Sequence, residues 1–296
     1  MTAPDVRRGV TFVRTDEPSP MHEVALNLVV TDGGRYVDVY GSAVLIGPGL
    51  ALTARHNVEI FRANFERARH HGETEGDMQM MAVQTWTSPP ATIVHRVRKW
   101  YLAPWTDLAV LRLHPAGDQA EPLPDTYRWR AVRLDLLPPP VGATIAAFGY
   151  DDLEVTHGDN DILIRARGVT ATGLVMEVQE PLHGNAHHGW PRFQTNARFD
   201  GGMSGGPVMR DGLACGVVSS SLPANSEDED HASFVPLLWP AMAIEIDDPR
   251  ASDLEGPNVP LLELVRAGVV SAAGHELVAL AYAADGSVNG ISLRHP

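Results

Sequence analysis

The chain has 296 residues, 44% of them hydrophobic, and a formal net charge of −14 at pH 7. The length allows one large or two medium domains, and the apolar content is sufficient for sizeable cores. Because the negative charge would repel phosphate backbones and anionic lipid surfaces, we predict no nucleic-acid partner and no membrane partner.

The first twenty residues, MTAPDVRRGVTFVRTDEPSP, lack the continuous apolar core of a signal peptide. No other stretch approaches the roughly 18 apolar residues that a membrane-spanning helix needs. We therefore expect a cytoplasmic protein and interpret residues 1–20 as an N-terminal arm. We expect this arm to be dispensable for function, provided that a first strand near residues 24–30 remains intact.

Glycine and proline are frequent, with 27 and 23 residues, and short runs of Val, Thr, Ile and aromatic residues lie between them. This pattern is typical of many short strands joined by turns, so we predict an all-β fold. Three successive prolines in LDLLPPPVGA (134–143) indicate a connector, because they cannot join a helix or a central strand. We place one β unit over residues 21–133, a second over 134–245 and a C-terminal extension over 246–296. The extension either packs on the β units or binds a partner.

Two polar residues stand out in the first unit. His56 follows two apolar strands and a glycine turn in GSAVLIGPGLALTARHNV (41–58), and Asp107 opens an apolar strand in WTDLAVLRL (105–113). Apolar residues at helical spacing over 58–72 predict a short helix beside His56. A histidine and an aspartate that precede a serine match the chain order of one kind of catalytic triad.

The serine that would complete this order is Ser204, in RFDGGMSGGPVMRDG (198–212). Four glycines surround it within six positions. Because glycine destabilises regular strands and helices, such a cluster indicates unusual backbone conformations or a close approach of the backbone to something else. The sequence therefore predicts that this serine is presented for chemistry.

The same glycines leave a second template open. Residues 202–206 fit the G-x-S-x-G nucleophile elbow, in which Asp247 or Asp253 with His275 would complete the triad. That elbow requires a helix after the serine. Pro207 and the turn and β-type run after it predict a hairpin instead, which favours the first template.

The three motifs together resemble those of the trypsin-like (chymotrypsin-fold) serine peptidases, in particular the bacterial HtrA and glutamyl-endopeptidase branches. LTARH resembles the histidine motif, TDLAVLRL the aspartate motif and GMSGGPV the serine motif. The resemblance covers roughly residues 22–245. It implies two six-stranded antiparallel β-barrels, with His56 and Asp107 on the first and Ser204 on the second. Nothing resembles the peptide-binding module that often follows an HtrA-like peptidase.

The resemblance implies a serine endopeptidase that acts on protein or peptide substrates through an acyl-enzyme, without metal or cofactor. Ser204 would be the nucleophile, His56 its general base, and Asp107 the group that orients the base. The backbone N–H groups of Gly202 and Ser204 would form the oxyanion hole. Glycines around the serine would let both N–H groups point at the same site without a Cβ in the way.

The resemblance also assigns GVVSSS to the strand that pairs with an extended substrate. Ser219 matches the serine that supports the catalytic aspartate, whereas Ser220 and Ser221 replace an aromatic residue and a glycine. Arg198 matches the residue at the base of the primary specificity pocket in animal digestive members. An arginine there favours acidic substrates by charge pairing, the acidic loop NSEDEDH (225–231) favours basic ones, and a narrowed pocket favours small or apolar ones. All three preferences stay open.

Met203 stands where zymogen-activated members carry an aspartate that pairs with a newly cut N-terminal amine. Methionine cannot form that ion pair, so activation by N-terminal cleavage is not expected. The alternative function is an inactive or partner-activated peptide-binding protein on the same fold. An activating protein partner would suit an effector in a bacterial stress or defence system.

The remaining polar clusters receive simpler interpretations. The histidines in HGNAHHGW (183–190) and RHHG (69–72) lack an H-E-x-x-H spacing or a cysteine partner, so they predict solvated loops and no metal site. Cys215 is the single cysteine and cannot form an internal disulfide. Its apolar β-type surroundings predict a buried strand position.

Overall fold

The computed structural model describes ten stretches of the chain: residues 10–15, 19–33, 35–71, 78–87, 90–115, 127–157, 162–179, 190–222, 231–251 and 256–294. The α-helices within these stretches are α1 (Arg55–His71) and α2 (Leu261–Arg266), and short 3-10 helices span Pro20–Glu23, Trp239–Ala243 and His275–Leu277. The strands are β1 (Thr11–Thr15), β2 (Ala25–Asp32), β3 (Arg35–Gly47), β4 (Leu50–Thr53), β5 (Gln79–Thr87), β6 (Pro90–Leu102), β7 (Ala109–Pro115), β8 (Leu134–Asp135), β9 (Thr144–His157), β10 (Ile162–Gln179), β11 (Arg192–Thr195), β12 (Pro207–Arg210), β13 (Leu213–Val217), β14 (Ser220–Leu222), β15 (Ala232–Pro236), β16 (Glu245–Asp247), β17 (Asn258–Pro260), β18 (Ala272–Ala273), β19 (Val278–Tyr282) and β20 (Val288–Leu293). The fold is mainly β, as the sequence predicts.

Six strands of the first half close into a barrel, in the order β2-β3-β4-β7-β6-β5. Each neighbouring pair is antiparallel, including the closing pair of β2 and β5. The strands close because their apolar side chains share one interior, where a cluster is fully shielded from solvent. Members of that cluster include Leu26, Leu28, Leu45, Ala51 and Leu111. The prediction of a six-stranded barrel is confirmed for this half.

Helix α1 packs one face on this barrel and begins earlier than the sequence predicts. The apolar pattern predicts a helix over 58–72, whereas the helix starts at Arg55. The carboxylate of Asp107 accepts the backbone N–H of His56 at 2.9 Å, which satisfies one of the N–H groups that a helix start leaves without a partner. His56 therefore lies in the first turn of α1 and is held by the helix backbone.

Ten strands of the described residues form a second sheet. Their order is β14-β15-β11-β10-β9-β12-β13-β8-β18, and β1 pairs with β10 beside this path. Over the described residues the path has two ends, so the second predicted barrel is not established and stays a prediction. Barrel closure depends on the tilt and stagger of strands that are distant in sequence, and no local pattern encodes it.

The largest apolar cluster lies where the two halves and the C-terminal extension meet. It joins Leu52 of the barrel, Leu134 and Val217 of the second sheet, and Leu261 and Leu264 of α2. The extension also adds β18 to the second sheet through parallel pairing with β8. Of the two roles that the sequence leaves open for the extension, packing is the one for which the structure provides contacts.

A buried polar cluster surrounds His95 on β6. The residue is 0% exposed, its Nε2 lies 3.0 Å from Gln84 Oε1, and its ring packs against Trp129 at a tilt of 30° with ring centroids 4.8 Å apart. The Nδ1 atom has no hydrogen-bond partner among the described residues. Burial without a compensating charge lowers the pKa of His95 from 6.5 to about 4.

This histidine predicts a pH dependence of stability. The unfolded chain binds a proton on His95 below pH 6.5, whereas the folded protein does so only near pH 4. The free energy of unfolding should therefore fall as pH falls between these values, by up to about 3 kcal/mol from this group. Urea unfolding across this range measures the slope. His95→Gln should flatten it, and an unchanged slope in that variant would contradict the assignment.

Candidate active site

Asp107 lies at the centre of a hydrogen-bonded group. Its Oδ1 accepts the backbone N–H of His56, and its Oδ2 lies 2.8 Å from Nδ1 of the same histidine. The Ser219 hydroxyl donates to Oδ2 at 2.5 Å. Because Ser219 follows β13 of the second sheet, this carboxylate joins the two halves of the chain. The structure thus brings together three residues that the sequence selects.

The ionisation of Asp107 is set by these donors. Burial acts to raise the pKa of Asp107, but the hydrogen bonds from His56 and Ser219 outweigh it and hold the pKa below its ordinary value. The carboxylate therefore stays charged. A charged acceptor at Nδ1 fixes the imidazole with its proton on that nitrogen and leaves Nε2 free to act as a base.

Ser204 is near this group, but its hydroxyl has another partner. The Oγ atom donates to the carbonyl oxygen of Ser219 at 3.2 Å. Among the described residues no hydrogen bond joins Ser204 to His56. Catalytic hydrogen bonds are often long or misaligned without substrate and tighten in the complex. Ser219 is thus a shared neighbour, with its carbonyl on the serine and its hydroxyl on the aspartate.

The backbone of Ser204 is attached to the first barrel. Its carbonyl oxygen accepts the N–H of Ser42 at 2.7 Å and the side-chain amide of Asn57 at 2.8 Å. Thr53 completes the connection, because its hydroxyl accepts from Asn57 and donates to the Ser42 carbonyl. The Ser42 hydroxyl donates to the carbonyl of Gly202 at 2.8 Å. The segment between β11 and β12 (residues 196–206), here called the serine loop, is therefore fixed to β3 and α1 of the other half.

The turn before the serine holds a left-handed glycine. Gly202 has φ +88°, and the N–H of Met203 bonds the carbonyl of Asp200 at 3.3 Å across the turn. The Met203 side chain is fully buried in the core of the second sheet. Gly149 lies directly beneath it, since a Cβ there would come within 2.7 Å of the Met203 Cα. Apolar burial thus anchors this loop at the position where zymogen-activated members use an ion pair.

Gly205 approaches the first barrel even more closely. Its φ is +87°, and a Cβ at this position would overlap Ser42 O and Thr53 Oγ1. Its N–H bonds the Val218 carbonyl at 2.7 Å. A left-handed backbone and a space without room for a side chain leave glycine as the residue that fits.

Arg198, which the sequence proposes at the base of the specificity pocket, is paired within its own loop. Its Nε and Nη2 each donate to Asp200 at 2.7 Å, in a bidentate ion pair. The guanidinium also stacks over the Phe12 ring at 4.5 Å. The acidic loop at 225–231, which would favour basic substrates, lies almost wholly outside the described residues.

The serines proposed to contact substrate lie on and beside the terminal strand of the second sheet. β14 contains Ser220 and Ser221 and pairs with β15, and over the described part of the chain it ends the sheet. The Ser221 hydroxyl lies 2.9 Å from that of Ser233, which donates to the Ala197 carbonyl at 2.6 Å. A continuous run of small hydroxyl side chains therefore links β14 and β15 to the segment that leads to the serine.

The nucleophile-elbow alternative is wrong. Strand β12 follows Ser204, where the elbow requires a helix. Asp247 forms an ion pair with Lys99, and His275 Nδ1 lies 3.2 Å from the Ala272 carbonyl oxygen. Asp253 lies outside the described residues.

Sequence reasoning misses the residues that attach the loop. Ser42, Thr53 and Asn57 are polar positions in or beside apolar elements, and that contrast is the one local signal they carry. Trp105 is also missed, although it is half exposed two residues before Asp107 and its carbonyl accepts the Trp190 N–H. Their partners are far away in sequence, so no spacing reveals them.

Other reactive groups in the described part of the chain are accounted for. Cys215 is buried, as predicted, and burial raises the pKa of its thiol to about 12, so it is not a thiolate nucleophile. Within the described stretches no group of three His, Cys, Asp or Glu side chains is arranged to hold a metal ion. Most of the histidine-rich segment 183–190 lies outside these stretches. The loop predicted at 69–72 is wrong for its described part, because Arg69, His70 and His71 form the last turn of α1. None of the described helices has the length and apolarity to cross a membrane.

Comparison with known proteins gives a family match and several structural similarities. The model of the trypsin-like peptidase domain matches residues 41–217. The MamO protease domain from Magnetospirillum magneticum in its apo form is 17% identical, with 74% of this chain and 93% of that chain covered and a TM-score of 0.43. An inactive serine-to-alanine mutant of Rv3671c from M. tuberculosis H37Rv is 16% identical, with 75% and 89% covered and a TM-score of 0.40. A search among curated proteins gives no match.

The close approach at Gly205 predicts an asymmetry between two glycines of one loop. Gly205→Ala should lower the free energy of unfolding by about 2 kcal/mol or more, because the new methyl group meets backbone atoms and the φ is left-handed. Gly201→Ala is the matched control, since a Cβ there meets nothing within 4 Å. It should stay within roughly 0.5 kcal/mol of the unsubstituted protein. Urea unfolding compares the two, and equal losses would contradict the packing described here.

Proposed function

The chain belongs to the trypsin-like peptidase domain family, and on that premise we propose that it is a serine endopeptidase that forms an acyl-enzyme on Ser204. The observation that carries this proposal is the group around Asp107. One carboxylate binds His56 twice and Ser219 once, and Ser219 in turn contacts the serine. One network of hydrogen bonds thus links the base, the orienting acid and, through Ser219, the nucleophile.

The reaction begins when the Ser204 hydroxyl turns from the Ser219 carbonyl towards Nε2 of His56. The oxygen then attacks the peptide carbonyl while the imidazole takes the hydroxyl proton, and charged Asp107 stabilises the imidazolium. The imidazolium gives this proton to the leaving amine as the C–N bond breaks. Water, activated by the same base, then hydrolyses the ester and frees the serine.

The oxyanion of the tetrahedral intermediate is assigned to the N–H groups of Gly202 and Ser204. The left-handed conformation at Gly202 and the buried Met203 support this assignment, because together they hold the intervening turn in one shape. Donors fixed before the reaction need no reorganisation as charge develops. Loss of one such donor costs about 10²–10³-fold in kcat in related sites.

An extended substrate is assigned to β14. Among the described strands it is the last of the second sheet, and an added peptide strand there gains main-chain hydrogen bonds. For the primary pocket we favour a small side chain over an acidic one. The bidentate pair with Asp200 occupies the Arg198 guanidinium, and the hydroxyl groups of Ser221 and Ser233 lie 2.9 Å apart.

A second candidate is a peptide-binding protein on the same fold that needs an activating protein partner. One observation favours it: the Ser204 hydroxyl is bonded to Ser219, and no hydrogen bond to His56 occurs among the described residues. Placement in the HtrA or glutamyl-endopeptidase branch, the cytoplasmic location and the bacterial context stay predictions.

Substitution of the triad gives the direct test. Ser204→Ala and His56→Ala should each lower peptide hydrolysis by about 10⁴-fold or more and abolish labelling by a fluorophosphonate probe, with unchanged folding. His275→Ala is the matched control and should label normally. If the purified protein binds peptides but never labels, the peptide-binding candidate replaces the peptidase.

Arg198→Ala tests the pocket. Because the guanidinium is committed to Asp200, the variant should lose activity on all substrates in similar proportion and keep its preference among side chains. A peptide-library profile of both proteins measures this. A selective loss of cleavage after Asp or Glu would instead place Arg198 in contact with substrate.

A further inference from the structure

We propose that strand β1 braces the turn at residues 200–203 that precedes Ser204, here called the oxyanion turn. Phe12 and Arg14 are positioning residues that act on this turn through Asp200. This inference rests on the proposed peptidase function and adds a regulatory element to that site. It opposes the sequence-based expectation that the N-terminal arm is dispensable.

Strand β1 is attached to the second sheet through β10. It pairs antiparallel with β10 over five residue pairs, from Thr11 opposite Thr172 to Thr15 opposite Gly168. The two threonine hydroxyls at one end lie 2.6 Å apart, and the N–H of Thr11 donates to the Thr172 hydroxyl at 3.1 Å. β1 is therefore an integral strand of the second sheet.

The side chains of β1 point alternately to its two faces. Residues two apart on a strand share a face, so Phe12 and Arg14 point the same way and Val13 points the other way. The Arg14 guanidinium carbon lies 5.3 Å from the centre of the Phe12 ring, and Val13 is 44% exposed. The Phe12 ring packs against the core that contains Phe199 and Met203. One face of β1 therefore contacts the serine loop.

The negatively charged carboxylate of Asp200 lies between two arginines. Arg14 Nη2 is 3.6 Å from Asp200 Oδ2, and Arg198 binds the same carboxylate in bidentate fashion while stacking on Phe12. Each partly exposed pair alone contributes little to stability. Together with the aromatic contact they define one position for Asp200.

Asp200 also forms part of the turn that carries the oxyanion donors. Its backbone carbonyl accepts the Met203 N–H at 3.3 Å and closes the turn in which Gly202 takes φ +88°. A shift of Asp200 therefore turns the Gly202 peptide away from the site where the oxyanion forms. β1 has five residues and, among the described strands, pairs with β10 alone. A short strand with one partner is among the segments that open most easily, so docking of β1 sets the fraction of molecules with a formed hole.

The test uses the full chain with Phe12→Ala and Arg14→Ala, and Val13→Ala as the matched control from the opposite face. Hydrogen exchange measured by mass spectrometry over residues 199–206 should rise about tenfold in the first two variants and stay unchanged in the third. Arg14→Lys should restore most of the protection. In an Asp200→Asn background, Arg14→Ala should add little, because the pair is already broken.

The second readout is catalysis. If β1 only positions the turn, kcat should fall about tenfold in Phe12→Ala and Arg14→Ala while KM stays within about twofold, since the substrate strand is untouched. Unchanged exchange in both variants, or an equal rise in Val13→Ala, would overturn the brace whatever the enzyme does. An unsubstituted protein that neither labels nor cleaves, but shows the expected exchange pattern, would refute the peptidase function and leave the brace standing.

Discussion

The carbonyl oxygen of Ser204 joins the two halves of the molecule through two hydrogen bonds. It accepts one N–H from β3 and one side-chain amide from α1, at 2.7 and 2.8 Å. These bonds cross between chain segments about 150 residues apart, so they exist only when both halves are folded and docked. Both donors are buried, so loss of the acceptor would leave the Ser42 N–H without a partner and the Asn57 amide with Thr53 alone. An unpaired buried polar group costs about 1–3 kcal/mol. The two flanking glycines contact the same segment, since the Ser42 hydroxyl donates to the Gly202 carbonyl and Gly205 packs against Ser42.

A second connection is made through Asp107, which serves local structure and chemistry together. The same carboxylate caps the start of α1, holds the His56 ring and accepts the hydroxyl of a residue from the second sheet. The three donors offset the cost of burying its charge. A histidine that must stay in one tautomer benefits from this rigidity, because helix and ring are fixed by one group. The apolar cluster that includes α2 contains Leu108, the neighbour of Asp107, and so helps to hold the same segment.

The loop around the serine is held mainly by shape and apolar burial. Met203 is fully shielded and rests on Gly149, while Gly205 occupies a space that no side chain fits. An ion pair formed after cleavage would make the loop depend on a new chain end. A buried methionine requires no such event, and a strand such as β1, which contacts the loop from within the fold, is then available as a different means of control.

The sequence by itself determined the residue types and their order. Short apolar runs predicted a β fold, the glycines predicted special backbone at 201–206, and three motifs selected His56, Asp107 and Ser204. These features are local, because strand pattern and backbone freedom depend on neighbouring residues. Tertiary structure decided what lies between distant segments: the start of α1 at Arg55, the roles of Ser42 and Asn57, the stacking of Arg198 on Phe12, and the docking of β1 on β10. Each of these depends on a hydrogen bond or packed contact between residues far apart in the chain, whose geometry exists only once the sheets have formed.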